Sequence, residues 1–173
     1  MASASPTIYD SVVIASSVRG PIDLNGIKKI NGDLLSFHAD GLTSISSRTL
    51  VEITGRMDLY NLTNISKVSF PSLSILKEIS FDRLPRFSNL DFSVEDVSYL
   101  HLVDTGLTNF SALASQPSQV LVQHNPFLQK LSFSGVGAFG TSTVSISDNA
   151  ILMHVRLNFP KSGSFNVTGS ITS

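Results

Sequence analysis

Apolar residues in this chain recur in short pairs spaced two apart, and the pairs return at a nearly constant interval. They start at Val12, Leu34, Met57, Ile79, Tyr99, Val120, Val144 and Phe165, with successive steps of 22, 23, 22, 20, 21, 24 and 21 residues. Leu100 serves as well as Tyr99 without altering the period. Two further columns keep pace. Eight residues after the starts stand Leu42, Ile65, Phe87, Leu107, Leu128 and Leu152. At offsets of eleven and thirteen come Val68 with Phe70, Leu90 with Phe92, Leu131 with Phe133, and Val155 with Leu157. Pairs two residues apart send both side chains to one face of a strand, whereas a helix would need spacings of three and four.

Each repeat therefore predicts a strand, a tight polar turn, an apolar anchor, a second short strand and a return. No such unit can bury its own apolar face, but stacking equivalent units about 4.8 Å apart pairs like strands in parallel and turns every column inward. The expected fold is all-β, a parallel solenoid with coils of about 22 residues, roughly 33 Å long over seven steps. Residues 8–173 make up this solenoid and 1–7 a short N-terminal extension. Alternation at Phe165, Val167 and Ile171 runs almost to the last residue, which reads as a domain truncated at its C-terminus. Pro71 and Pro160 follow second strands, where a chain leaves its ladder. Asn61, Asp104, Asn125 and Asn149 read as one recurring set of turn residues. In this register Phe92 is a core residue, and Phe92→Ala is expected to cost about 3 to 5 kcal/mol.

Composition narrows the functional classes. Charged residues are 14% of the chain and the net charge is -1, so an electrostatic nucleic-acid surface is not expected. No cysteine is present, which excludes disulfides, thiolate metal sites and cysteine nucleophiles. The opening MASASPTIYDSVVIASS has no basic segment and no long apolar run, so it reads as no signal peptide, and no stretch approaches the ~18 apolar residues of a membrane span. No anchor signal is read in the chain either.

Candidate chemistry is sparse. Gly135, Gly137 and Gly140 in SGVGAFG have the spacing of a dinucleotide-binding loop, but such a loop must open a helix. TSTVSIS follows instead, an alternating strand, so no cofactor is expected and the glycines read as slack in the longest coil. His38 and His124 share an offset yet stand four coils apart, roughly 19 Å at the strand spacing. His101 and His154 lie at other offsets, so no shared metal is expected. Asp82 and Asp104, with Arg83 beside them, are the nearest approach to a carboxylate pair, and they read as surface charges rather than a catalytic set. No catalytic residue is assigned. Four sequons, at Asn61, Asn64, Asn109 and Asn166, are candidate N-glycosylation sites.

The stretches NGIKKINGDL, GLTSISSRTLVEITGRMDLYNLTNISKVSFPSL, LKEISFDRLPRFSNLDF, TGLTNF and NPFLQKLSF carry a family likeness. Over about residues 8 to 171 the chain resembles the fungal GPI-anchored cell-wall organisation and sporulation-wall proteins, most tellingly from Ile53 to Leu73. The resemblance implies a receptor L-domain-like fold, a right-handed single-stranded β-helix related to leucine-rich repeats. It also implies a non-enzymatic, N-glycosylated protein of the cell surface that supports wall integrity, with wall glycans or wall proteins as partners and no ligand site specified. Two other readings stand beside it. One is a carbohydrate-active β-helix enzyme, a polysaccharide lyase or hydrolase; the other is a nonfunctional family fragment.

Overall fold

A computed structural model describes residues 6–92, 94, 97–113, 117–134, 143–158 and 164–168, and among them it contains strands, turns and no helix. In chain order the strands are β1 (Thr7–Ile8), β2 (Val12–Ile14), β3 (Arg19–Asp23), β4 (Lys29–Ile30), β5 (Leu34–Phe37), β6 (Gly41–Ser46), β7 (Glu52–Ile53), β8 (Arg56–Tyr60) and β9 (Lys67–Ser69). There follow β10 (Glu78–Leu84), β11 (Asn89–Asp91), β12 (Tyr99–Thr105), β13 (Asn109–Leu113), β14 (Gln119–Gln123), β15 (Lys130–Ser134), β16 (Thr143–Ser147), β17 (His154–Asn158) and β18 (Ser164–Thr168).

Every strand pairing is parallel and joins equivalent positions of successive coils. The main sheet has eight strands in the order β18-β16-β14-β12-β10-β8-β5-β2. Its register aligns Val12, Leu34, Met57, Ile79, Leu100, Val120, Val144 and Phe165. Leu100, not Tyr99, is the start of the fifth repeat, because Leu100 pairs with Ile79 and Tyr99 with Glu78. Leu34, Met57, Ile79 and Leu100 are fully buried. Thr7 pairs with Lys29, so the ladder already takes in the last residue of the segment read as an extension.

The second face is divided. Strands β3, β6, β9 and β11 form one sheet, and β13, β15 and β17 another, with no pairing between β11 and β13. The inward column continues across the break as Ile22, Ile45, Val68 and Leu90, then Phe110, Leu131 and Val155. A short third sheet, β1-β4-β7, places Ile30 and Ile53 in the core.

The anchors Leu42, Ile65, Phe87, Leu107, Leu128 and Leu152 all lie inside, at most 3% exposed. Phe70 and Phe133 are fully buried. Phe92 is only half-buried, packed against the rim of the core. It follows β11, the last strand of its sheet, and no strand of the next coil pairs there to cover it. The expected cost of Phe92→Ala falls accordingly, to roughly half of the 3 to 5 kcal/mol that full burial carries. Phe133→Ala, which also removes a ring 6.0 Å from Phe110, should reach that full range. Chemical denaturation of the two variants side by side checks the difference.

Two adjacent positions at the first turn have opposite fates. Four residues after the starts from Leu34 to Val144, His38, Asn61, Arg83, Asp104, His124 and Asp148 all adopt positive φ, between 52° and 57°. One residue later the chain points inward, and that column reads Ala39, Leu62, Leu84, Thr105, Asn125 and Asn149, all buried. Asn61 and Asp104 therefore do not share a column with Asn125 and Asn149. A one-residue offset puts the first pair in a surface turn and the second in the core. Positive φ costs a residue with a Cβ on the order of 1 kcal/mol, least for Asn and Asp. Asp104→Gly should consequently leave the melting temperature unchanged or raise it. Asp104→Val should lower stability by about 1 to 2 kcal/mol, because a branched Cβ suits φ of 53° worst.

The inward polar column is fully satisfied. Asn125 Nδ2 donates to the carbonyls of Leu102 and Gln123 and to Asn149 Oδ1, at 2.8 to 3.0 Å. Its Oδ1 accepts from the Thr105 amide at 3.0 Å and the Thr105 hydroxyl at 2.7 Å. Asn149 repeats the motif one coil on, donating to Val122 and Ser147 carbonyls and accepting from the Asn125 amide. Among the described residues no buried side-chain nitrogen or oxygen lacks a partner.

Candidate functional site

Parallel stacking turns outward residues at one offset into rows that run across the coils. On the four-stranded sheet one such row is Asp23, Ser46, Ser69 and Asp91, each aligned with the next. Beside it run Ser44, Lys67 and Asn89. The chain leaving the sheet brings Asn25, Ser47, Arg48 and Pro71 along the other side, and together with the first row, Ser44 and Lys67 they enclose a polar hollow of about 540 Å³. The column between the two rows, Ile45 and Val68, faces inward and is buried, so the floor of the hollow is fixed to the core.

The polar groups of the hollow differ in what they already hold. Asp23 accepts from the Asn25 amide at 2.9 Å and the Asn25 side chain at 3.0 Å. Asp91 accepts from the Ser69 hydroxyl at 2.8 Å. The Ser47 hydroxyl serves its own turn, donating to the Leu24 carbonyl and accepting from the Thr49 and Leu50 amides. The Arg48 guanidinium and the Lys67 ammonium, both exposed, are in no ion pair or side-chain hydrogen bond among the described residues. The hollow thus offers free donors over a hydroxyl-lined floor, and its two carboxylates are each held in place by a neighbour.

Asp82, Arg83, Asp104 and His124 come together along the C-terminal ends of β10, β12 and β14, around a shallower depression of about 460 Å³. Arg83 is turned away from the two acids. It donates to the Tyr60 hydroxyl at 2.9 Å, with its guanidinium 5.4 Å from the centroid of the Tyr60 ring. His124 faces Asp148 at 3.5 Å, both well exposed, a contact worth little in water. His38 hydrogen-bonds Asn61 at 2.8 Å and packs edge-on against Tyr60. His101 is half-buried on the main sheet and His154 is exposed on β17. Among the described residues no three histidine or acidic side chains gather as a metal set requires. Residues 135–140 of the glycine loop lie outside the described residues.

Of the sequon asparagines, Asn64, Asn109 and Asn166 are exposed and Asn61 is half-buried. Asn61 and Asn64 are tied to the preceding coil, Asn61 through His38 and Asn64 through the Asp40 carbonyl at 2.7 Å. None of the four lines the polar hollow.

The residues of the hollow were not singled out by sequence reasoning. Their signal was present: Asp23, Ser46, Ser69 and Asp91 follow one another at steps of 23, 23 and 22 residues. Serine and aspartate are too common at exposed strand positions for that spacing to stand out from the rest of the chain.

Fold and surface define a parallel β-solenoid with hydroxyl-rich sheet faces. No family model and no solved structure matches the chain. Named relatives do. The chain is 27% identical over 175 residues to "Protein ecm33" of Aspergillus fumigatus, covering 99% of this chain and 38% of that protein. It is 25% identical over 150 residues to "Cell surface GPI-anchored protein ECM33" of Candida albicans, covering 84% and 36%. To "Cell wall protein ecm33" of Schizosaccharomyces pombe it is 23% identical over 143 residues, covering 81% and 33%. The chain is homologous to these fungal ecm33 proteins, and it spans between a third and two-fifths of their length.

Proposed function

We propose that this chain is a non-enzymatic module of the fungal cell surface that contributes to cell-wall organisation by holding wall glycans or wall proteins against its sheet faces. The observation that carries the reading is the alignment of 84% and 81% of the chain with proteins named for the cell surface and the cell wall. The polar hollow supports it, since a rigid, hydroxyl-lined floor across four coils suits an extended polar ligand.

Two measurements on the purified chain test the reading. Sedimentation with insoluble wall polysaccharide and with solubilised wall proteins should show retention that denatured chain lacks. A reducing-sugar assay on the same glycans should show no release above buffer. Sugar ends released in proportion to protein would overturn the non-enzymatic reading and point to Asp82 and Asp104. Failure to retain any wall component would overturn the interaction reading.

A further inference from the structure

The charges along the hollow are ordered by coil. Asp23 belongs to the first coil, Arg48 to the second, Lys67 to the third and Asp91 to the fourth, so the sequence along the solenoid axis is negative, positive, positive, negative. The two aspartates end a row of three ladder steps and stand roughly 14 Å apart at the strand spacing. Between them the floor is Ser46 and Ser69, with Ser44 beside Lys67.

The hydrogen-bond inventory sharpens the pattern. At the centre, the Arg48 guanidinium, the Lys67 ammonium and the Ser44 and Ser46 hydroxyls are unengaged donors among the described residues. At the ends, Asp23 and Asp91 are held in place by Asn25 and Ser69, yet a carboxylate with two oxygens retains lone pairs for further donors. A wholly neutral sugar chain would leave both cations without an anionic partner. A simple polyanion would meet a carboxylate at each end. The complementary ligand has one oxyanion in the middle and hydroxyl-bearing units on either side, donating to the two aspartates.

Resting on the glycan-holding reading above, we propose that this hollow is a binding site for a glycan carrying a single internal oxyanion, either a phosphodiester bridge or a uronate carboxylate. Arg48 and Lys67 clasp the oxyanion from opposite sides, Ser44 and Ser46 donate to it from the floor, and Asp23 and Asp91 accept from flanking sugar hydroxyls. The arrangement runs along the solenoid axis because the rows do.

Isothermal titration calorimetry of the full chain tests this with three oligosaccharides of equal length, one with an internal phosphodiester, one with an internal uronate and one neutral. At least one anionic ligand should bind measurably more tightly than the neutral one, with the stronger identifying the source of the oxyanion, and its affinity should fall as salt is raised. Arg48→Gln combined with Lys67→Gln should weaken it by about tenfold or more, the loss expected for charge-assisted hydrogen bonds. Lys28→Gln combined with Lys77→Gln, which removes the same net charge from exposed positions outside the hollow, should change it little. Equal binding of the neutral ligand, or full affinity in the Arg48 and Lys67 double variant, would overturn the site while leaving a glycan-holding role through another face intact. Absence of binding to every glycan, with retention of wall proteins in sedimentation, would also overturn the site and would confine the wider reading to proteins.

Discussion

Replacing Asn125 by leucine should remove about 2 to 4 kcal/mol of folding stability, although leucine matches asparagine closely in size and the apolar residues Leu84 and Leu62 occupy the same column two and three coils away. The side chain holds five hydrogen bonds to four different residues, and three of the partners are backbone groups of β12 and β14. Leucine leaves the Thr105 amide in the core with nothing to bond and takes a second donor from the Leu102 and Gln123 carbonyls of the ladder, and an orphaned buried group costs about 1 to 3 kcal/mol. Asn125→Asp should fail as well. Its carboxylate accepts from Thr105 but cannot donate to Leu102 or Gln123, and it places a charge in the core. Urea denaturation followed by circular dichroism measures both, and a midpoint near that of the parent would show that the network contributes no net stability.

The second large effect is expected at Ile65. It is fully buried in the anchor column, with Leu42 one coil before it and Phe87 one coil after, and Phe87 in turn packs edge-on against Phe81 at 5.2 Å. Ile65→Asp combines a lost apolar side chain with a carboxylate placed in a core whose described buried residues include no cation, so the cost should be about 5 kcal/mol or more. A domain of ordinary stability, 5 to 15 kcal/mol, would then be largely or wholly unfolded. Ile65→Val keeps the same environment and should cost only about 0.5 to 1.5 kcal/mol. Near-equal midpoints for the two variants would mean that Ile65 is not a core contact.

These two sites show different degrees of legibility in the sequence. Ile65 could be placed from spacing alone, because apolar residues eight after each strand start leave little freedom about which way they face. Asn125 could not. Polar residues near a turn satisfy several geometries, and Asn61, Asp104, Asn125 and Asn149 looked alike until the coils were in register. The left-handed residue at offset four shifts the alternation of inward and outward positions by one, so the next position is core, and only the tertiary ladder separates the two columns. The same holds for Phe92. Its spacing is that of Phe70 and Phe133, but burial depends on whether a neighbouring coil pairs over it, and at β11 none does.

The candidate site lay further beyond reach. Asp23, Arg48, Lys67 and Asp91 span 69 positions of the chain and become neighbours only because four coils stack in parallel with a common register. By itself the sequence determined the repeat, the strand character, the parallel stacking and the anchors of the core, because burial of a periodic apolar face permits few other solutions. The tertiary structure decided which turn residues are inside, where the second sheet breaks, and which polar residues share the hollow. Those outcomes depend on register between coils, and register is a relation between distant segments that no local pattern contains.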